Sequence, residues 1–310
     1  MSEIISPLAV IEKPILPQVK KPQPPFYLGG FAACAANFFT HPLDLLKVRL
    51  QTTKGATSTT HVIRAIYQHQ GIVGFYNGIS AAVLRQLTYS TARFGAYEAI
   101  KLELTKPDGT LPFYRMAASG ILAGAIGGVC GTPADIVLVR LQNDGALPMD
   151  QRRNYKNAFD GIFRIAREDG VRGLFKGTIP NVSRAILMTG SQLCSYDAFK
   201  DILLPYMKEG LMLHFSASFL AGFVATTLTS PCDVVKTRIM NAGPGNKAYT
   251  GLVQAMVTIV REEGIGALYK GWTPAFVRMA PQTILTFVFL EQFRAFYWDS
   301  YAKKNNVCYD

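Results

Sequence analysis

The sequence predicts an all-α membrane protein with six transmembrane helices in three pseudo-threefold repeats, each repeat carrying a short surface helix. Three observations lead there. Charged residues make up only 17% of the 310 positions against 49% hydrophobic ones, below the roughly 25% charged of an ordinary soluble domain. Removing every Asp, Glu, Lys and Arg leaves six long apolar windows. Two short motifs then recur three times each, and internal self-similarity outranks any local reading.

The first 25 residues hold six prolines and two acids, Glu3 and Glu12, without an arginine. They have neither the apolar core of a secretory signal nor the Arg-rich pattern of a transit peptide, and read as a disordered arm. A single domain over 26–305 follows, divided as 26–110, 111–207 and 208–305. Windows 22–43, 116–134 and 211–232 are free of charge, and each is about the 20 residues needed to cross a bilayer. Windows 72–92, 178–196 and 271–290 alternate with them, and each carries one arginine near its middle: Arg85, Arg184 and Arg278. Between the paired windows lie the moderately amphipathic stretches 59–70, 157–169 and 250–263, ending at Gly71, Gly170 and Gly264; they read as surface helices stopped by glycine.

Each charge-free window ends alike, in HPLDLLKVRLQ, TPADIVLVRLQ and SPCDVVKTRIM, and each arginine-bearing window follows GIVGFYNG, GVRGLFKG or GIGALYKG. Proline inside a helix removes a backbone hydrogen bond and kinks it, so Pro42, Pro133 and Pro231 bend three helices toward a common axis. Asp44 with Lys47, and Asp233 with Lys236, stand one turn apart on a shared face. The arginines precede Glu98, Asp197 and Glu291 by 13 residues in every case, which sets the three guanidiniums in one layer about 20 Å from those acids. A cation at that depth costs roughly 2.5–3.5 kcal/mol on insertion scales and must face water, a partner or a solute. Guanidinium binds carboxylate or phosphate bidentately, which suits a small dianion.

Charge is lopsided as well, with a formal net of +11, which fits nucleic acid, anionic lipid or an anionic solute. Nucleic acid is disfavoured because its arginines would cluster on soluble faces rather than stand singly in apolar windows. No Ser/His/Asp or metal constellation recurs among the four histidines, so an enzyme is disfavoured and no metal is expected. The five cysteines are scattered without a CxxC, as small buried hydrophobes are. Gly120, Gly124 and Gly128 permit close helix approach. The loops around the three motif pairs hold 17 Lys and Arg, against five in the two opposite connections. The positive-inside bias places those loops in the inner compartment and both termini on the other side.

At these motifs the sequence resembles the mitochondrial carrier family, built from three repeats with a Pro-x-Asp/Glu-x-x-Lys/Arg signature. The resemblance spans roughly 26–300. RQLTYSTARFGAYE, RLQNDGALP, RRNYKNAFDG and NVSRAILMTGSQLCSYD are similar to the dicarboxylate carriers and, after them, the oxoglutarate/malate carriers. It implies an inner-membrane antiporter working by alternating access, exchanging malate or succinate for phosphate or another dicarboxylate. An uncoupling-type proton or anion transporter shares much of the pattern. It further implies both termini in the intermembrane space, the surface helices on the matrix side, a monomer, and cardiolipin held at the glycine signatures Gly71, Gly170 and Gly264.

By family correspondence the substrate contacts fall on Arg85 with Gln86, Arg184 with Ala185, and Arg278. Arg93 and Gln192, each five residues before its acid, either line the cavity or pack. Cyclic pairing makes a matrix gate of Asp233 with Lys47 and Asp135 with Lys236. Leu138 replaces the base that would meet Asp44, which is expected to stand unpaired with Gln51 bracing it. Asn77 replaces a base before Gly78, and Met240 stands where the other repeats have Gln51 and Gln142. Glu98 with Lys101, Asp197 with Lys200, and Glu291 with Arg294 make a cytoplasmic gate of three pairs, expected to be the stronger one.

Overall fold

A computed structural model describes residue 25 and residues 27–53, 58–105, 112–207, 210–242 and 251–305. The proposed arm, apart from residue 25, lies outside the described residues. Among these residues there is no strand, and the helices come in three triplets of long, short, long. The first triplet is α1 (Tyr27–Thr52), α2 (Thr59–Gln70) and α3 (Ile79–Leu104); the second is α4 (Phe113–Asp144), α5 (Ala158–Glu168) and α6 (Thr178–Leu203); the third is α7 (Leu211–Asn241), α8 (Leu252–Glu263) and α9 (Trp272–Asn305). Short 3-10 or helical turns join each surface helix to the long helix after it.

The long helices close a ring. α3 lies along α4, α6 along α7, and α9 returns to α1, while α1 also meets α3 and α4 meets α6. α1, α4 and α7 touch one another directly, and Pro42, Pro133 and Pro231 lie inside these three helices, where the missing backbone bond lets a helix bend inward. Small residues set the spacing between neighbours. Side chains placed at Gly120, Gly124 and Gly128 would all meet α6, at Thr189, Ala185 and Asn181 respectively, 3.7–3.8 Å away.

Surface helices form where the sequence pattern places them. α5 opens on Asn157, whose side chain accepts from the Asp160 N–H at 2.9 Å, satisfying one of the orphan donors of the first turn. Gly71 ends α2 at φ 65° with its N–H bonded to the Tyr67 carbonyl, a backbone state that favours glycine. Val62 and Ile66 of α2, Ile165 of α5, and Ala255 and Ile259 of α8 are buried against the ends of α1, α4 and α7.

Burial is uneven along the ring. At the signature end the long helices bury Leu45, Ile136, Val137, Val234 and Val235 completely. Outward-facing Phe31, Phe39, Phe215, Phe219 and Phe287 are exposed, an apolar perimeter of the kind that faces lipid. Two helical stretches, Tyr114–Asp144 and Met212–Asn241, are long and uniformly apolar enough to cross a membrane on length and composition, with mean hydropathy 1.7 and 1.3. Interior arginines, Arg85, Arg184 and Arg278, dilute the apolar average of α3, α6 and α9. Cys232 is buried as anticipated, but Cys130 and Cys194 are exposed, so for these two the buried reading is corrected: they stand on outer helix faces.

A ring of ion pairs at the signature end

The proline bends bring the following turns of α1, α4 and α7 together, and the aspartates and lysines of the signature face one another there. Lys47 Nζ lies 2.6 Å from Asp233 Oδ2, and Lys236 Nζ 2.9 Å from Asp135 Oδ2. These are the two cyclic pairs read from the sequence. Asn181 of α6 adds a hydrogen bond from Nδ2 to Asp135 Oδ2 at 3.0 Å.

The three interior arginines converge on the same aspartates. Arg85 Nε is 3.7 Å from Asp135 Oδ1, Arg278 Nε is 3.0 Å from Asp44 Oδ1, and Arg184 donates through Nε to Asp233. Each aspartate therefore receives one arginine, from α3, α6 and α9 in turn. All three arginines, all three aspartates and both lysines line one cavity of about 90 Å³, together with Leu138, Gln51, Gln142 and Thr237. Five bases face three carboxylates, so the cavity keeps two formal positive charges unmatched.

Several expectations are corrected here. Asp44 is not without a partner: Arg278 reaches it because Leu138, a buried apolar residue, leaves that carboxylate to α9. Gln51 does not brace Asp44; its Oε1 accepts from Thr237 Oγ1 at 2.7 Å and its carbonyl from Arg238 Nε at 3.0 Å. Ala185 is buried against Gly124 of α4 rather than lining the cavity. Gln86 turns along its own helix and donates to Ser90 Oγ at 3.0 Å. Arg93 stands over the Tyr89 ring, 6.0 Å from its centroid, and both Arg93 and Gln192 are exposed, away from the arginine layer.

The opposite end is built differently. Glu98, Lys101, Asp197, Glu291 and Arg294 are exposed and Lys200 is half-buried, and among the described residues no ion pair joins any of those three acids to a base. The expectation that this end holds more strongly is therefore corrected for this conformation. Carboxylates as exposed as Glu98, Asp197 and Glu291 stay hydrated and gain little by pairing.

A second set of ion pairs was not anticipated. Arg49, Arg140 and Arg238, the arginines of RLQ, RLQ and RIM, are all buried. Each donates Nε to a carbonyl of the next repeat, at Gln142, Met240 and Gln51 respectively. In the second repeat Arg140 Nη2 meets Asp169 Oδ2 at 2.9 Å; in the third, Arg238 grips both oxygens of Glu263, and Lys270 adds 2.5 Å to Oε2. Hydrogen bonds from Arg238, then from Lys270, hold the Glu263 carboxyl down at about 2. In the first repeat Gln70 and Asn77 replace the acid and the base, and Asn77 Nδ2 donates to Gln70 Oε1 at 3.0 Å. The threefold recurrence of Arg seven residues after the proline, with the twofold recurrence of an acid just before Gly170 and Gly264, was the available signal.

Comparison with known proteins agrees with this threefold geometry. The family model described as mitochondrial carrier protein matches residues 19–108, 109–207 and 208–301. The chain belongs to the mitochondrial carrier family. It is accordingly a transporter of the mitochondrial membrane system and not an enzyme. The carrier is 48% identical over 282 residues to the mitochondrial citrate transporter F of Aspergillus niger, covering 90% of this chain and 91% of that protein. It is 49% identical to the mitochondrial dicarboxylate carrier of Caenorhabditis elegans over 87% of this chain and 92% of that one. With the mitochondrial 2-oxoglutarate/malate carrier protein of Bos taurus it shares 42% identity over 88% and 90% of the two chains.

Proposed function

We propose that this carrier exchanges small dicarboxylates such as malate and succinate for phosphate or another dicarboxylate across the mitochondrial inner membrane by alternating access. The observation that carries the reading is the two unmatched positive charges in the cavity, at the level of Arg85, Arg184 and Arg278. A dianion entering from the opposite end supplies that balance. To bind two guanidiniums it must draw them from their aspartates, and each arginine withdrawn leaves the closed end with one attraction fewer. A ligand shifts such an equilibrium only through its stronger affinity for the released state, so the empty protein stays shut and exchange prevails over leak. The names of the nematode and bovine relatives support a dicarboxylate.

The signature end faces the matrix in this reading and both termini lie in the intermembrane space, supported by the excess of Lys and Arg in the loops at that end. The protein works as a monomer, since the ring encloses its own cavity. Cardiolipin binds near the glycine signatures. Gly71 and Gly264 cap the ends of α2 and α8, while Gly78, Gly177 and Gly271, also at positive φ, precede the starts of α3, α6 and α9, so the backbone donors that suit a lipid phosphate belong to those starts.

Citrate is the second reading, favoured by the identity to citrate transporter F; oxoglutarate/malate exchange is a variant of the first. The deciding experiment is uptake into liposomes preloaded with malate, phosphate, oxoglutarate, citrate or ADP. Malate and phosphate should drive exchange, and Arg184→Ala should reduce it about 100-fold, a loss typical of a buried charge-assisted contact. Preference for citrate moves the assignment to the second reading, and proton conductance without counter-anion to an uncoupling type.

A further inference from the structure

Among the described residues, Arg49 is a buried guanidinium without a counter-charge. Only 3% of it is exposed, yet its hydrogen bonds run to neutral acceptors, from Nη2 to Gln70 Oε1 at 2.7 Å and from Nε to the Gln142 carbonyl at 3.0 Å. The equivalent arginines of the other repeats grip Asp169 and Glu263. A buried cation is ordinarily paired, and in the first repeat Gln70 has removed the pairing group.

Beside Arg49 lies an open cavity of about 570 Å³, between α2 and the loop that follows α4. His61 and His69, two turns apart on one face of α2, line it together with Arg152. Arg152 Nε is engaged by the Leu147 carbonyl at 3.0 Å, and its two terminal nitrogens make no bond among the described residues. Among the described residues no acid lines the cavity. The nearby carboxylate of Asp144 is occupied by the backbone N–H groups of Arg153 and Asn154 at 2.7 and 2.9 Å. Gln70 Nε2 donates to the Gly145 carbonyl at 2.6 Å, fixing the loop against α2, so the basic groups are held around a formed space.

We propose that this cavity is a second anion site, separate from the transport cavity, which binds the phosphate groups of a soluble polyphosphate and supplies the counter-charge that Gln70 omits. Two guanidiniums and two imidazoles offer several donors to tetrahedral oxygens, and the volume exceeds what a single dicarboxylate fills. Occupancy ties α2 of the first repeat to the loop of the second.

The test is calorimetric titration of the full-length protein in detergent with inorganic pyrophosphate while malate saturates the central cavity. One equivalent should bind. The triple variant His61→Gln, His69→Gln, Arg152→Gln should weaken it at least about tenfold, the scale of a lost charge-assisted bond. Gln70→Glu, which supplies the missing carboxylate to Arg49 and alters no other basic group, should weaken it as well. Absence of binding, undiminished affinity in both variants, or loss of pyrophosphate binding on adding cardiolipin overturns the proposal, the last by giving the cavity to a lipid headgroup.

Discussion

The two ends of this molecule are built from comparable numbers of charged side chains and use them in opposite ways. At the signature end Asp44, Asp135 and Asp233 are each bonded to an arginine, two of them to a lysine as well, with little water access. At the other end Glu98, Asp197 and Glu291 stand in solvent. Hydrated charges gain little by pairing, whereas a buried carboxylate that loses its cations is left with the cost of its own desolvation. Charge content alone therefore says nothing about which end is shut; burial does.

Substitutions can break that contrast. Asp233→Asn strips the partner from both Lys47 and Arg184, and should cost about 3–5 kcal/mol or more, the penalty for orphaning buried charge, seen as the largest drop in melting temperature. Glu263→Gln follows at about 3 kcal/mol, because Arg238 stays buried without its carboxylate. Glu263 also gives the contrast a pH signature. Its folded value, about 2, lies below the ordinary 4.5, so its contribution is complete above about pH 4.5 and is lost as pH falls toward 2; wild type should lose stability in that window and Glu263→Gln should not show that component. Gln51→Ala removes one of the two acceptors of the Thr237 hydroxyl, the other being the Asp233 carbonyl, for about 1 kcal/mol at most. Smallest of all, the triple neutralisation of Glu98, Asp197 and Glu291 should change melting by no more than about 0.5 kcal/mol per site and still impair malate exchange in liposomes. A large thermal effect there would mean that the far end is fastened after all.

Much of the architecture was legible because threefold recurrence multiplies weak signals. One Pro-x-Asp is noise, but three in register, two of them followed by the lysine, fixed the long helices, the surface helices between them and the pairs Lys47 with Asp233 and Lys236 with Asp135. What escaped was side-chain direction. Ala185 and Gln86 follow their arginines by one residue, and a helix turns each neighbour by about 100°, which points Ala185 into α4 and Gln86 along α3. Spacing gave the depth of Arg85, Arg184 and Arg278 but not their reach, and a long flexible arginine finds the nearest buried carboxylate. Asp44 was expected to be alone because only position 138 was considered as its source of charge; α9 supplied it instead.

Two neutral replacements, Leu138 and Gln70, fall along a single seam of the barrel, where the first third of the chain abuts the second. Among the described residues one ion pair, Arg85 with Asp135, crosses that seam, while two cross each of the others. An iris with unequal stitching does not widen evenly, and parting should begin along that line.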